Sequence, residues 1–86
     1  MATLHCFAVL DRAAKAYGRP FYAATESLGK RMFAEAVNDQ TPENLINKYP
    51  SDFALFLVGQ YDEDSGDLTP MPHVQPICEA QELVKL

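Results

Sequence analysis

The sequence has no long hydrophobic run. Nothing in its 86 residues approaches the roughly 20 consecutive apolar residues of a membrane-spanning helix, so no membrane segment is expected. The basic start and long apolar core of a signal peptide are also missing. Cysteine is scarce: Cys6 and Cys78 are too few for a disulfide scaffold. Together these absences predict a soluble intracellular protein with free thiols. Catalytic signatures are lacking too. There is no glycine-rich phosphate loop, no nucleophile elbow and no recognisable metal-ligand spacing. Serine, histidine and aspartate occur, but their mere presence carries no geometry. The expectation is a protein that is not an enzyme and has no cofactor. His5 and Cys6, adjacent on an extended segment, point to opposite sides, and His73 with Cys78 completes no common zinc spacing. Both cysteines therefore read as small buried hydrophobes. Internal repeats and low-complexity segments are absent.

What is present is clearest in residues 53–61, Phe-Ala-Leu-Phe-Leu-Val-Gly-Gln-Tyr, rich in aromatic and β-branched residues and running into a polar cluster that ends at Gly66. This reads as the central strand feeding a hairpin turn. Strict alternation puts Phe53, Leu55, Leu57 and Tyr61 on one face and Ala54, Phe56 and Val58 on the other, so both faces are apolar and both need cover. The acids of the turn, Asp62, Glu63, Asp64 and Asp67, suggest calcium, but a helix-loop-helix calcium loop counted from Asp62 needs Gly and Glu where Asp67 and His73 stand. A solvated turn with Gly66 at positive φ is the better reading.

From the start of the chain, residues 3–10 read as a first strand, with Leu4, Cys6, Ala8 and Leu10 on one face and His5, Phe7 and Val9 on the other. Residues 11–25 read as a connection that opens with a helical turn and is held extended before Pro20. A main helix is expected over residues 26–39, capped by Thr25, with Leu28, Met32, Phe33, Ala36 and Val37 as its buried stripe. Glu26 with Lys30 and Arg31 with Glu35 are pairs on its wet side. Gly29 suggests the close approach of another backbone. A short second helix begins at Thr41-Pro42-Glu43 and stops at Tyr49-Pro50. Pro70, Pro72 and Pro76 forbid a regular central strand, and residues 76–86 suggest a closing helix burying Ile77, Ala80 and Val84. The fold class is α+β: one domain spanning residues 1–86, with a small antiparallel sheet, one main helix packed on it and a short second helix. At this length only about 60 to 65% of the unfolded surface can be buried, and apolar groups on both strand faces predict a homodimer or larger oligomer.

The net charge is −5, but its distribution says more than its sum. Residues 12–34 hold five cations, Arg12, Lys15, Arg19, Lys30 and Arg31, against Glu26 alone; residues 35–86 hold two cations against ten acids. The early segment either forms an anion-binding edge or is an ordinary mixed surface. Within it, Tyr17, Phe21 and Tyr22 interleave with Arg12, Lys15 and Arg19. Single-stranded nucleic acid sites need this mixture, because cations neutralise phosphates and flat rings stack on unpaired bases. A loop packing its aromatics into the core has the same composition. Phe21 fits the core; Tyr17 and Tyr22 fit either role.

Several blocks, taken in order, resemble a known family. They are Val9-Leu10-Asp11-Arg12-Ala13-Ala14-Lys15-Ala16-Tyr17, Pro20-Phe21-Tyr22, Arg31-Met32-Phe33 with Ala36-Val37-Asn38, Lys48-Tyr49-Pro50-Ser51-Asp52-Phe53-Ala54-Leu55, and Val58-Gly59-Gln60-Tyr61-Asp62 through Gly66. The set resembles the small nonstructural protein, often called viral protein five, of gokushoviruses, members of the Microviridae with small single-stranded DNA genomes. Gly18-Arg19, where Leu-Pro is expected in relatives, and the tail after Pro70 depart from it. The resemblance implies a phage protein in the cytoplasm of the bacterial host, with a DNA-binding part in single-stranded genome synthesis or packaging. It favours single-stranded DNA as the ligand of Arg12, Lys15, Tyr17, Arg19, Tyr22, Lys30 and Arg31. The competing reading is an adaptor for a viral or host replication or assembly protein, steered by the acidic half and docking through an apolar sheet face.

Overall fold

The computed structural model of the chain describes residues 2–85. Its elements run β1 (Thr3–Asp11), β2 (Ala16–Tyr17), β3 (Phe21–Ala23), α1 (Glu26–Val37), α2 (Leu45–Lys48), β4 (Phe53–Asp62) and β5 (Leu68–Glu79), with single 3-10 turns at Pro50–Asp52 and Ala80–Leu83. The fold is α+β. All strand pairings are antiparallel, in the order β2-β1-β4-β5, and β3 pairs with β1 on the β2 side.

One face of this sheet carries the helix and the core. Phe7, Leu55 and Leu57 from the central strands close on Phe33 and Val37 of α1, with Ala23, Phe53 and Ala80 around them. Phe7, Leu55 and Val37 are fully buried and Phe33 is 1% exposed. Thr25 caps α1 as expected: its Oγ1 accepts the Leu28 amide at 3.1 Å. The buried row differs from the expected stripe, however. It runs Gly29, Phe33, Val37, while Leu28 and Met32 are 42% and 37% exposed. Gly29 sets this rotation. A methyl group there would stand 2.5 Å from Phe7 Cε2, so the helix lies directly on the Phe7 ring, and the close neighbour of Gly29 is that ring rather than another backbone. Among the described residues the one salt bridge is Arg12–Glu79, so the expected Glu26–Lys30 and Arg31–Glu35 pairs are not closed.

Three more differences have local causes. Residues 11–17 form a hairpin, not a helical turn. Asp11 Oδ1 accepts the amides of Ala13 and Ala14 (3.0 and 3.2 Å), and Lys15 takes φ of 57°, which turns the chain back so that Tyr17 pairs with Leu10. The second helix starts at Leu45 because Asp39 has taken Thr41: the Thr41 amide and hydroxyl both donate to Asp39 Oδ1 (3.0 and 2.7 Å). Asn44 caps instead, accepting the Ile46 amide at 3.2 Å and donating to the carbonyls of Ala36 and Asp39. The tail is β5 followed by one 3-10 turn rather than a closing helix. Ala80 is fully buried and Ile77 and Val84 pack on the core, so the expected side chains are covered in a different backbone; Leu86 lies outside the described residues. Pro70, Pro72 and Pro76 are tolerated because β5 is an edge strand.

Parity along β4 changes at Val58. Phe7 faces Leu57, yet Cys6 faces Gly59, so Val58 is an extra residue opposite β1. This bulge moves Tyr61 off the helix side, where strict alternation puts it, and onto the opposite face with Phe56. The hairpin turn beyond closes as expected, with Gly66 at φ of 81° and its amide donating to the Asp62 carbonyl at 2.7 Å.

Candidate nucleic-acid interface

The sheet face away from α1 is built by pairing. Leu4, Cys6, Ala8 and Leu10 of β1 stand opposite Tyr61, Gly59, Phe56 and Ala54 of β4, and on the other side Leu10 faces Tyr17 and Cys6 faces Tyr22. Tyr17 and Tyr22 therefore share this face, while Phe21, opposite Phe7, belongs to the core side and stacks on Phe7 at 5.6 Å. The pairing with β1 separates these three aromatics: Phe21 packs inward with Phe7, and the two tyrosines, opposite Leu10 and Cys6, are on the face away from the helix.

Tyr17 is 46% and Tyr22 39% exposed. Each meets a ring of β4 edge-on, Tyr17 against Phe56 at 5.6 Å and Tyr22 against Tyr61 at 5.9 Å. Such contacts hold the rings in place, and each tyrosine still keeps more than a third of its surface in solvent. Cys6 beside the Tyr22 hydroxyl, chiefly through a hydrogen bond, holds that phenol above its usual pKa, with desolvation and Tyr61 adding in the same direction. A shallow groove of about 370 Å³ opens next to Tyr22 between Pro20, Val58, Leu68 and Pro70. Its floor needs Gly59, since a Cβ there would lie 2.8 Å from the Thr69 carbonyl oxygen.

The cations divide. Lys15 sits at the tip of the β1–β2 hairpin and Arg19 in the short link between Tyr17 and Phe21, both exposed. Arg12 is engaged: its guanidinium makes a two-pronged pair with Glu79 (2.8 and 2.6 Å) and also donates to the Ser51 carbonyl at 3.3 Å. That hydrogen bonding lowers the Glu79 carboxyl and raises the Arg12 guanidinium from their ordinary values. Lys30 and Arg31 ride on α1, across the sheet from Tyr17 and Tyr22. Of the seven residues singled out in the sequence, Lys15, Tyr17, Arg19 and Tyr22 thus form one strip along the sheet edge, and Arg12, Lys30 and Arg31 stand apart from it. Tyr61 and Phe56, absent from that set, support the strip. Phe56 was legible by alternation; Tyr61 was hidden by the bulge. Among the described residues no three of His, Cys, Asp and Glu gather closely enough to hold a metal ion.

The fold and this face define a small two-layer protein, with a helix on one side of an antiparallel sheet and an uncovered aromatic surface on the other. The chain belongs to the Phage ORF5 protein family, whose profile matches residues 4–83. It is 30% identical over 67 residues to Protein ORF5 of Chlamydia phage 1, covering 76% of this chain and 70% of that protein. The resemblance drawn from the sequence blocks therefore holds: this is a small phage protein of the gokushovirus type. No solved structure matches the chain.

Proposed function

We propose that the protein binds single-stranded DNA with little sequence preference, in the synthesis or packaging of a phage genome. The observation that carries the reading is the pair Tyr17 and Tyr22, solvent-exposed on a sheet face without a helix and flanked by Lys15 and Arg19 in the same short segment. Bases stack on the two rings, Lys15 and Arg19 meet the phosphates, and no hydrogen-bond readout of base edges is required. The net charge of −5 is compatible with this because the acidic cluster of residues 62–67 sits at the β4–β5 turn, whereas Lys15 is at the opposite end of the sheet. Titration of labelled single-stranded DNA at two salt concentrations tests the reading. Affinity falls as salt rises, with a logarithmic slope near 0.7 per phosphate contacted.

The acidic β4–β5 turn favours a second reading, an adaptor for a replication or assembly protein whose approach is steered by negative charge. Absence of any DNA binding at low salt, where the electrostatic contribution is greatest, selects that reading over the first.

A further inference from the structure

Besides the open sheet face, the described residues leave an apolar surface on the flank of α1. Leu28 and Met32 stand four residues apart, one above the other, and both reach solvent. Beside them a groove of about 230 Å³ lies between helix and sheet, lined by Val9, Phe21, Met32, Phe33 and Ala36. Arg31 and Glu35 border the same stripe, both exposed, and neither is in a salt bridge among the described residues.

Three observations say what covers this flank. Both edges of the sheet are blunted: β5 carries Pro70, Pro72 and Pro76, and the far edge is made of β2 and β3, two and three residues long, with Pro20 between them. Strand addition at an edge is therefore disfavoured. Next, the charges along the flank are complementary to themselves in reverse. Arg31 precedes Glu35 by one helical turn, so an antiparallel copy sets each Arg31 against the partner's Glu35, and a two-fold axis supplies both contacts at once. Last, the patch contains both a knob and a hole. Met32 is unbranched and adaptable, and the groove beside it has room for a side chain of that shape.

We propose that two copies of this chain dimerise through antiparallel packing of α1 on α1, each Met32 entering the groove of the other copy. Leu28 covers the same seam, and reciprocal Arg31–Glu35 pairs set the direction. The open sheet faces stay outward, so the dimer presents two Tyr17–Tyr22 strips. The proposal stands without DNA and is tested without it. Sedimentation of the full chain shows a dimer. Met32→Glu gives a monomer with unchanged circular dichroism, because the residue is already exposed in the single chain, and its unfolding midpoint no longer rises with protein concentration as that of the dimer does. Arg31→Glu weakens dimerisation by about tenfold or more, and Arg31→Glu combined with Glu35→Arg restores it. A monomeric unmodified chain, a dimer indifferent to Met32→Glu, or a double variant that fails to recover overturns the proposal. A dimer that survives Met32→Glu but is lost on Tyr22→Asp also overturns it and puts the second copy on the open sheet face.

Discussion

Gly29 shows how a single residue positions a whole layer. Its missing Cβ lets α1 settle on Phe7, and Phe7 cannot yield because it is fully buried and stacked on Phe21. Gly29→Ala gains about 1 kcal/mol of helix propensity but forces an overpacked contact that costs roughly 1 to 3 kcal/mol. The expected outcome is net destabilisation, read as a lower urea midpoint with an unchanged slope. At Glu79 the effect is electrostatic. Its folded pKa is lowered, first by the hydrogen bonds from Arg12, so the pair's contribution is present above the ordinary glutamate value and is lost as pH falls through the lowered one. Glu79→Gln should flatten that part of the acid-side loss in melting temperature. Asp39, lowered first by the hydrogen bond from the Thr41 hydroxyl and then by that from its amide, acts in the same direction. Both members of the Arg12 pair are solvent-exposed, so the change is small.

At the scale of elements, the alternation of β1 and of β4 as far as Leu57, and the extent of α1, are where periodicity and structure agree. The alternation of Leu4, Cys6, Ala8 and Leu10 survives intact, Thr25 caps where a cap is expected, and the turn closes on Gly66. The rotation of α1 about its axis was not legible, because Leu28, Met32, Phe33, Ala36 and Val37 span too wide an arc for all of them to be covered. Phe7 and Gly29 together choose which part is buried. This separates two substitutions that look alike in sequence. Phe33→Ala should cost roughly 3 to 5 kcal/mol, as for an aromatic removed from a core, while Leu28→Ala in the monomer should stay within about 1 kcal/mol. Equilibrium denaturation of both variants compares them directly. The second helix starts later than its sequence suggests for a similar reason. Thr41 is a good cap in isolation, but Asp39 competes for its hydroxyl and amide, and Asn44 also ties α2 to the end of α1 through Ala36. Asn44→Ala loses the cap and both carbonyl contacts, for an expected cost of about 1 to 2 kcal/mol, seen as a lower thermal midpoint.

At the scale of the molecule, the sheet separates two surfaces that the sequence interleaves. Exchanging Lys15 and Arg19 together for Ala should weaken single-strand binding and flatten its salt dependence, whereas Tyr22→Ala should lower affinity by roughly 1 to 3 kcal/mol with little change in slope, since stacking displaces no counterions. Lys30→Ala should leave both nearly unchanged, because that residue is on the helix layer; fluorescence anisotropy at two salt concentrations reads all three. The sequence alone determined what depends on near neighbours: the alternation of β1 and of β4 as far as Leu57, the helical character of α1, the Thr25 cap, the Gly66 turn, the mixture of tyrosine and cation in residues 15–22, and the family. The tertiary structure alone decided what depends on distant partners. The bulge that turns Tyr61 to the open face exists only in the pairing of β4 with β1, and Arg12 is withdrawn from the cationic strip by a glutamate 67 residues away. A β-strand admits either parity and a cation either partner until another segment arrives beside it, so these choices are fixed by packing and not by the local order of residues.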